Sequence, residues 1–397
     1  MDSSLRRIIK WKEAGELDRA AKAVEDALRD ETPRRIELLR ELADIRAKKG
    51  QWRVAHDAID SALKLLRANG DAMLEHALLE RRAWVLFREG KLAEARQLCG
   101  RLIEAMRDNR DANGALLADL HNTLGGILWY EGRIDEAMAE IAESIALYDA
   151  TRNAAGAAHS RLNLGVLCFA RGDWKRARRY LVQSRRIRVG SGCTQGLASN
   201  LLNLGLVEMA SGKLTVARRY LNESASASRA AGEEHEELIA ELALAQADVL
   251  EHRFDSAGGR VEPILRARRA LGDDIYVQAL WLSALVEQGR GNLDRALDLA
   301  RDAHRKARAN GIVETEADVC RALGIIYRTT GALADAKLSF DESIRLAKIA
   351  NDPYRRALAL FESSTVTRDR AEAEEAVAVF KRLGAHYDLT RARFSRV

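Results

Sequence analysis

The residue types that carry covalent or metal chemistry are scattered along this chain. Its eight histidines and four cysteines (Cys99, Cys168, Cys193, Cys320) show no ligand spacing. There is no C-x-x-C and no H-E-x-x-H, and His235-Glu236-Glu237 has no second histidine four places on. No serine sits in a G-x-S-x-G elbow, and the stretch from Gly205 to Gly212-Lys213 is too long for a phosphate-binding loop. The sequence therefore predicts no enzyme, no catalytic residue, no metal site and no cofactor. What remains is the chemistry of recognition. Asn163 and Asn203 carry amides that can both donate to and accept from a peptide backbone, and Asn122 is of the same type. Trp84, Phe87, Trp129, Tyr130, Phe169, Met209 and Trp281 could form an apolar strip around them, with Arg81, Arg321 and Arg328 adding charge towards its ends.

These residues need a scaffold, and composition narrows it. The chain has 397 residues, 47% apolar and 31% charged, which excludes wholesale disorder. It has three prolines, where a chain of this length would average about twenty. Aromatics are few and β-branched runs are absent, so long helices joined by short glycine turns are expected. The formal charge of +5 is a mild excess that demands neither nucleic acid nor membrane. Scattered cysteines favour a reducing compartment, and there is no apolar run of membrane-spanning length. With no basic-then-apolar leader in Met1-Asp2-Ser3-Ser4, the sequence reads as cytoplasmic.

A repeat supplies the scaffold. Gly132-Arg133-Ile134-Asp135-Glu136-Ala137 and Gly172-Asp173-Trp174-Lys175-Arg176-Ala177 share one pattern. Its glycine recurs at Gly15, Gly50, Gly90, Gly212, Gly291 and Gly331, with His252 and Ala371 at the glycine place of two further units. The alanine five places on is present in all ten units, from Ala20 to Ala376. A second small residue lies seven places before the turn, as Gly125, Gly165, Gly205 and Gly324 or Ala43, Ala83, Ala245 and Ala284. Small residues at those places let two antiparallel helices approach closely. Each unit is thus a helix A, a tight turn and a helix B, with left-handed C-caps expected at Gly70, Gly232, Gly272, Gly311 and Asn351. One hairpin cannot bury its own apolar face, but stacked hairpins can.

The pattern closely resembles the tetratricopeptide repeat over essentially the whole chain. The period of about 40 and the missing boundary proline resemble the longer-helix subgroup of kinesin light chains, LGN-type scaffolds, MalT-like bacterial regulators and bacterial quorum-sensing peptide receptors. The resemblance implies an all-α, right-handed α-solenoid, with A helices lining the concave face and B helices the convex face. In peptide-binding members of the family, asparagine at the place of Asn163 and Asn203 commonly holds the ligand backbone.

Residues 1–383 are accordingly expected to form one array of about ten repeats, followed over 384–397 by a capping or truncated helix. Unit seven breaks the pattern with Gly258, Gly259 and Pro263 in helix B, so a bend is expected at 252–265. The expected function is non-catalytic binding of a peptide or helix of another protein in the concave groove, as scaffold or sensor. The alternative is a regulatory module of a bacterial signalling or transcription regulator whose effector lies elsewhere. Core packing of the apolar strip, asparagines that tie neighbouring helices, and self-association stay open. A basic run in unit five (Lys175, Arg176, Arg178, Arg179, Arg185, Arg186, Arg188) could meet nucleic acid, but the acidic helix before it (Asp135, Glu136, Glu140, Glu143) argues against that partner.

Overall fold

The computed structural model describes residues 3–13, 16–29, 34–66, 71–107, 110–192, 194–267 and 272–394. Gly15, Pro33, Gly70 and Cys193 lie outside them. Among the described residues there are helices and no strands. The helices run in pairs: α1 Ser3–Glu13 and α2 Leu17–Arg29, α3 Arg35–Lys48 and α4 Trp52–Leu66, α5 Ala72–Glu89 and α6 Leu92–Ala105, α7 Arg110–Tyr130 and α8 Ile134–Ala150, α9 Ala154–Ala170 and α10 Trp174–Ser191. They continue as α11 Leu197–Ala210 and α12 Leu214–Ala231, α13 Glu234–Leu250 and α14 Phe254–Arg266, α15 Asp273–Gly289 and α16 Leu293–Ala309, α17 Val313–Thr329 and α18 Leu333–Ile349, α19 Pro353–Thr367 and α20 Arg370–Leu383. A single short helix, α21 His386–Phe394, follows. Up to α20, odd-numbered helices are the A helices of the ten repeats and even-numbered ones the B helices.

The repeat spacing translates directly into packing. All ten of the turn alanines, from Ala20 to Ala376, are completely buried. Across the hairpin, a Cβ added to Gly125 would lie 2.5 Å from Ile141, one on Gly205 2.5 Å from Leu221, and one on Gly324 2.4 Å from Phe340. Glycine at this place is thus what lets a large B-helix side chain lie against helix A. A buried serine adds a polar staple between the two helices. Ser144, Ser184, Ser224 and Ser343 donate to the carbonyls of Ala118, Ala158, Ala198 and Ala317 at 2.7–2.8 Å. Each satisfies a hydroxyl that would otherwise be buried at a cost.

The turns take the left-handed backbone that favours glycine: φ is +78° at Gly132, +85° at Gly172 and +78° at Gly212. His252 holds φ +57° at the same place in unit seven. Left-handed ends also occur at Gly232, Gly311 and Asn351, as expected. Gly272 is a correction. Its backbone is extended, with φ −62° and ψ 150°, and it starts α15 instead of ending a helix.

The chain divides into two compact units, residues 1–167 with 183–195, and residues 168–182 with 196–397. The division runs through α9 and α10, and residues 252–265 lie wholly inside the second unit. Unit one has a core around Ile8, Val24, Ile45 and Ile59 and another around Leu98, Leu117 and Ile127. Unit two has a core around Val261, Val277, Trp281, Val319 and Ile326.

In the seventh repeat, α14 is shorter than its neighbours but continuous through Pro263. Proline removes the hydrogen bond to residue i−4 and crowds its carbonyl. That residue is Gly259, which has open space where a side chain would be. Gly258 is bare for another reason. The guanidinium of Arg290 lies 2.9 Å from where its Cβ would stand, held there by Asp255 at 2.8 Å and Glu287 at 3.0 Å.

Within unit two the last repeats also meet the early ones. Trp174 packs edge-on to Tyr354 with ring centres 5.0 Å apart. Tyr387 of α21 donates its hydroxyl to the carbonyl of Leu250 at 2.9 Å, and its backbone lies against Gly212. Leu383 packs so closely on Gly172 that an added Cβ would lie 2.6 Å away. α21 is fixed to α19 by Asp388, which accepts from Tyr354 at 2.8 Å, and by Arg391 on Glu362 at 2.6 Å.

Candidate functional site

The A helices of unit one carry a series of polar contacts. Lys12 of α1 pairs with Glu41 at 2.6 Å and Asp44 at 2.9 Å on α3. Asp44 takes Arg81 of α5 at 3.1 Å. Burial opposes ionisation of Asp44, but the Arg81, Lys12 and Lys48 charges outweigh it and hold the carboxyl at about 2. Glu80 behaves in the opposite sense. Burial pushes it up to about 7; Arg81 counteracts this, while Asp119 and Asp44 add to it. Asp119 accepts the hydroxyl of Tyr148.

Amides and hydroxyls make further contacts. Ser144 meets Ser160 at 2.9 Å, Ser160 donates to the Asn122 carbonyl oxygen at 3.3 Å, and Asn163 donates to the same oxygen at 3.0 Å. The Asn163 nitrogen also lies 3.3 Å from His159 Nε2. His159 is open to solvent, yet the protein around it, and then the Arg188 charge, push its pKa down to about 4. Its imidazole is therefore neutral at pH 7, able to donate at one nitrogen and accept at the other.

At the turn end of α7, the helix that carries Asn122, lies an aromatic cluster. Tyr130 is 72% exposed and Trp129 39% exposed, at the turn end of α7. Phe87 of α5 packs edge-on to Tyr130 at 5.6 Å, and Trp129 lies tilted on Tyr130 at 6.2 Å. Phe87 reaches this place because residue 126 is glycine, where a Cβ would stand 3.1 Å from its ring. Trp84, half-buried one turn earlier, is covered by Arg81 and Arg88 at 5.2 and 5.7 Å from its ring centre.

Seven of the thirteen expected recognition residues thus fall in unit one: Arg81, Trp84, Phe87, Asn122, Trp129, Tyr130 and Asn163. The other six fall in unit two and are used differently. Met209 and Trp281 are 8% and 5% exposed and belong to cores, so the expectation that they line a groove is corrected. Phe169 lies tilted on Trp174 at 6.0 Å, next to the contact with Tyr354. Asn203 donates to the Ser199 carbonyl of its own helix at 2.8 Å. Arg321 pairs with Asp318 at 3.9 Å, and Arg328 binds Glu362 at 2.8 Å together with Thr365.

Further apolar residues of the A helices, Leu162, Leu202 and Leu282, are also buried. In unit one the accessible A-helix surface is polar, with its aromatics gathered at the turn end. The charges of Lys12, Glu41 and Asp44 were missed, although Asp44 and Arg81 lie about one repeat apart in the sequence. In the basic run, Arg178 pairs with Glu208 of α11 at 2.5 Å and Arg176 with Asp173 at 3.7 Å. Among the described residues no group of three or more histidines, cysteines and carboxylates is placed to hold a metal, and no helix is long and apolar enough to cross a membrane. Cys99, Cys168 and Cys320 are buried, and burial raises their thiol pKa to about 12, 11 and 12.

A family model described as tetratricopeptide repeat matches residues 116–188, the hairpins α7–α8 and α9–α10 whose packing is described above. Those residues carry the tetratricopeptide repeat. Solved structures extend the likeness as α-solenoids. A Rap protein complexed with Competence and Sporulation Factor matches with a TM-score of 0.56 and 11% identity, over 86% of this chain and 99% of that one. NprR in complex with its cognate peptide NprX matches with a TM-score of 0.56 and 15% identity, over 78% of this chain and 92% of that one. A signal-transduction ATPase with numerous domains and a tetratricopeptide repeat sensor, from Pyrococcus horikoshii, matches with a TM-score of 0.55 and 15% identity, over 91% of this chain and 52% of that one. No curated protein matches by sequence.

Proposed function

We propose that this tetratricopeptide-repeat protein is a non-catalytic binding module that takes a peptide or helix of a partner protein on the A-helix face of unit one. One observation carries the reading. Phe87, Trp129 and Tyr130 form an aromatic cluster with two members open to water, at the end of the helix that also carries Asn122. Aromatic rings are the residue type over-represented where partners are anchored, and their exposure is unfavourable until something covers them. The Asn122–Asn163 bond occupies an amide nitrogen, so the ligand backbone meets the remaining Asn163 oxygen and the His159 ring. The NprR structure, solved with its cognate peptide, is consistent with a fold of this kind serving such a partner. We take residues 1–383 as one repeat array closed by 384–397, a reading supported by the uninterrupted alanine spacing.

A second reading is that the module senses on behalf of an effector elsewhere. The likeness in fold to a Pyrococcus ATPase that has a tetratricopeptide repeat sensor favours it. Both readings share the same test of the surface. A random peptide library is selected against the full chain, and the enriched peptide is titrated by fluorescence polarisation. Trp129→Ala with Tyr130→Ala should weaken it about tenfold or more and leave the melting temperature unchanged. Equal affinity of the variant, or no enriched peptide, would count against the site.

A further inference from the structure

In unit two a cleft of about 830 Å³ opens where the turn of repeat five meets the last two repeats. Its walls are the α9–α10 turn, the α18–α19 connection and the end of α20. Four cations line it, Arg171 from one side and Lys348, Arg356 and Arg382 from the other. Only two acids accompany them, Asp173 and Asp352.

Both acids are already engaged. Asp173 accepts the backbone N–H of Arg176 at 3.0 Å. Asp352 accepts the N–H groups of Tyr354 and Arg355 at 2.9 Å each, and the Arg355 guanidinium at 2.6 Å. Among the cations, Arg356 pairs with Glu375 at 2.6 Å, a residue outside the cleft lining. Lys348 and Arg382 make no ion pair among the described residues. The contacts that close unit two, Trp174 on Tyr354 and Leu383 on Gly172, therefore bring the Lys348 and Arg382 charges to one concave place with Arg171. Like charges so gathered favour a counter-ion.

We propose that this cleft binds a small phosphate-bearing molecule carrying at least two negative charges. The volume lies within the range of small-molecule sites, and Arg with Lys around a recess is the usual donor set for phosphate oxygens. By touching Arg171 and the Lys348–Arg382 side together, the ligand ties repeat five to the end of the chain. It thereby stabilises the same closure that Trp174 and Tyr354 make.

Inorganic pyrophosphate is the probe, titrated calorimetrically into the full chain at low salt. Wild type should bind it, and binding should raise the melting temperature. Lys348→Ala with Arg382→Ala should lower the affinity about tenfold or more. Lys22→Ala with Lys64→Ala, an equal loss of charge in unit one, should leave it within about twofold. If the cleft pair proves poorly folded, Lys348→Met alone is read in the same assay and should still weaken binding. No binding up to about 10 mM, or equal weakening by the two double variants, would overturn the proposal.

Discussion

Glu80 and Asp44 both belong to the A-helix polar contacts of unit one and are shifted in opposite directions, which makes these contacts testable by pH. Below the ordinary glutamate pKa of 4.5, Glu80 carries its proton in both folded and unfolded chains. Above it the unfolded chain ionises while the folded chain keeps the proton until about pH 7. Stability therefore falls over that interval because of Glu80. Asp44 acts the other way: its contribution is complete above the ordinary 3.8 and is lost as pH falls towards about 2. Glu80→Gln removes the first effect. Its stability relative to wild type should rise between about pH 5 and pH 8, by on the order of 2 kcal/mol. Thermal melts at both pH values check this, and a difference that stays constant with pH would show that Glu80 does not titrate as described. Little of this was legible in the sequence, because a carboxylate on a helix looks alike whether it faces water or the next repeat. The aromatic residues were easier to name than to place. Trp84, Trp129 and Trp281 all sit on A helices, but the packing of the following repeat decides which of them stays accessible.

At the scale of the helix pair, glycine has two separate roles. Gly205 is bare because Leu221 fills the space 2.5 Å from where its Cβ would be. Gly259 is bare with nothing near it. Gly205→Ala should destabilise by about 1–3 kcal/mol through overpacking. Gly259→Ala should stabilise by about 0.5–1 kcal/mol, since alanine is the better helix former. Denaturant unfolding of the two variants compares them directly, and the same sign for both would refute the distinction. The hairpins were legible because glycine, alanine and apolar positions recur on a fixed count, and the small residues fix where two axes approach. The serine staples recur on the same count, at Ser144, Ser184, Ser224 and Ser343, but a serine in a helix B pattern carries no sign of its acceptor.

At the scale of the whole molecule, sequence periodicity describes neighbours and not distant contacts. Nothing in the repeat pattern indicates that Tyr387 meets Leu250, or that Trp174 meets Tyr354. These contacts depend on how the repeats of unit two accumulate their rotation, a sum of small angles that residue types leave undetermined. They make α21 more than a cover for the last hairpin. Deleting residues 385–397 should therefore raise amide exchange at the turns around Gly212 and Leu250, far away in sequence, as well as in α19. An increase confined to α19 and α20 would mean that α21 only covers the last hairpin.

The A-helix face of unit one is the proposed place where a partner binds. Hydrogen exchange of the full chain, with and without a peptide selected on it, reads that face directly. Slowed exchange is predicted at the turn end of α7 around Trp129 and Tyr130, in α5 around Trp84 and Phe87, and in α9 around His159 and Asn163. Protection confined to B helices, or to unit two alone, would contradict the claim.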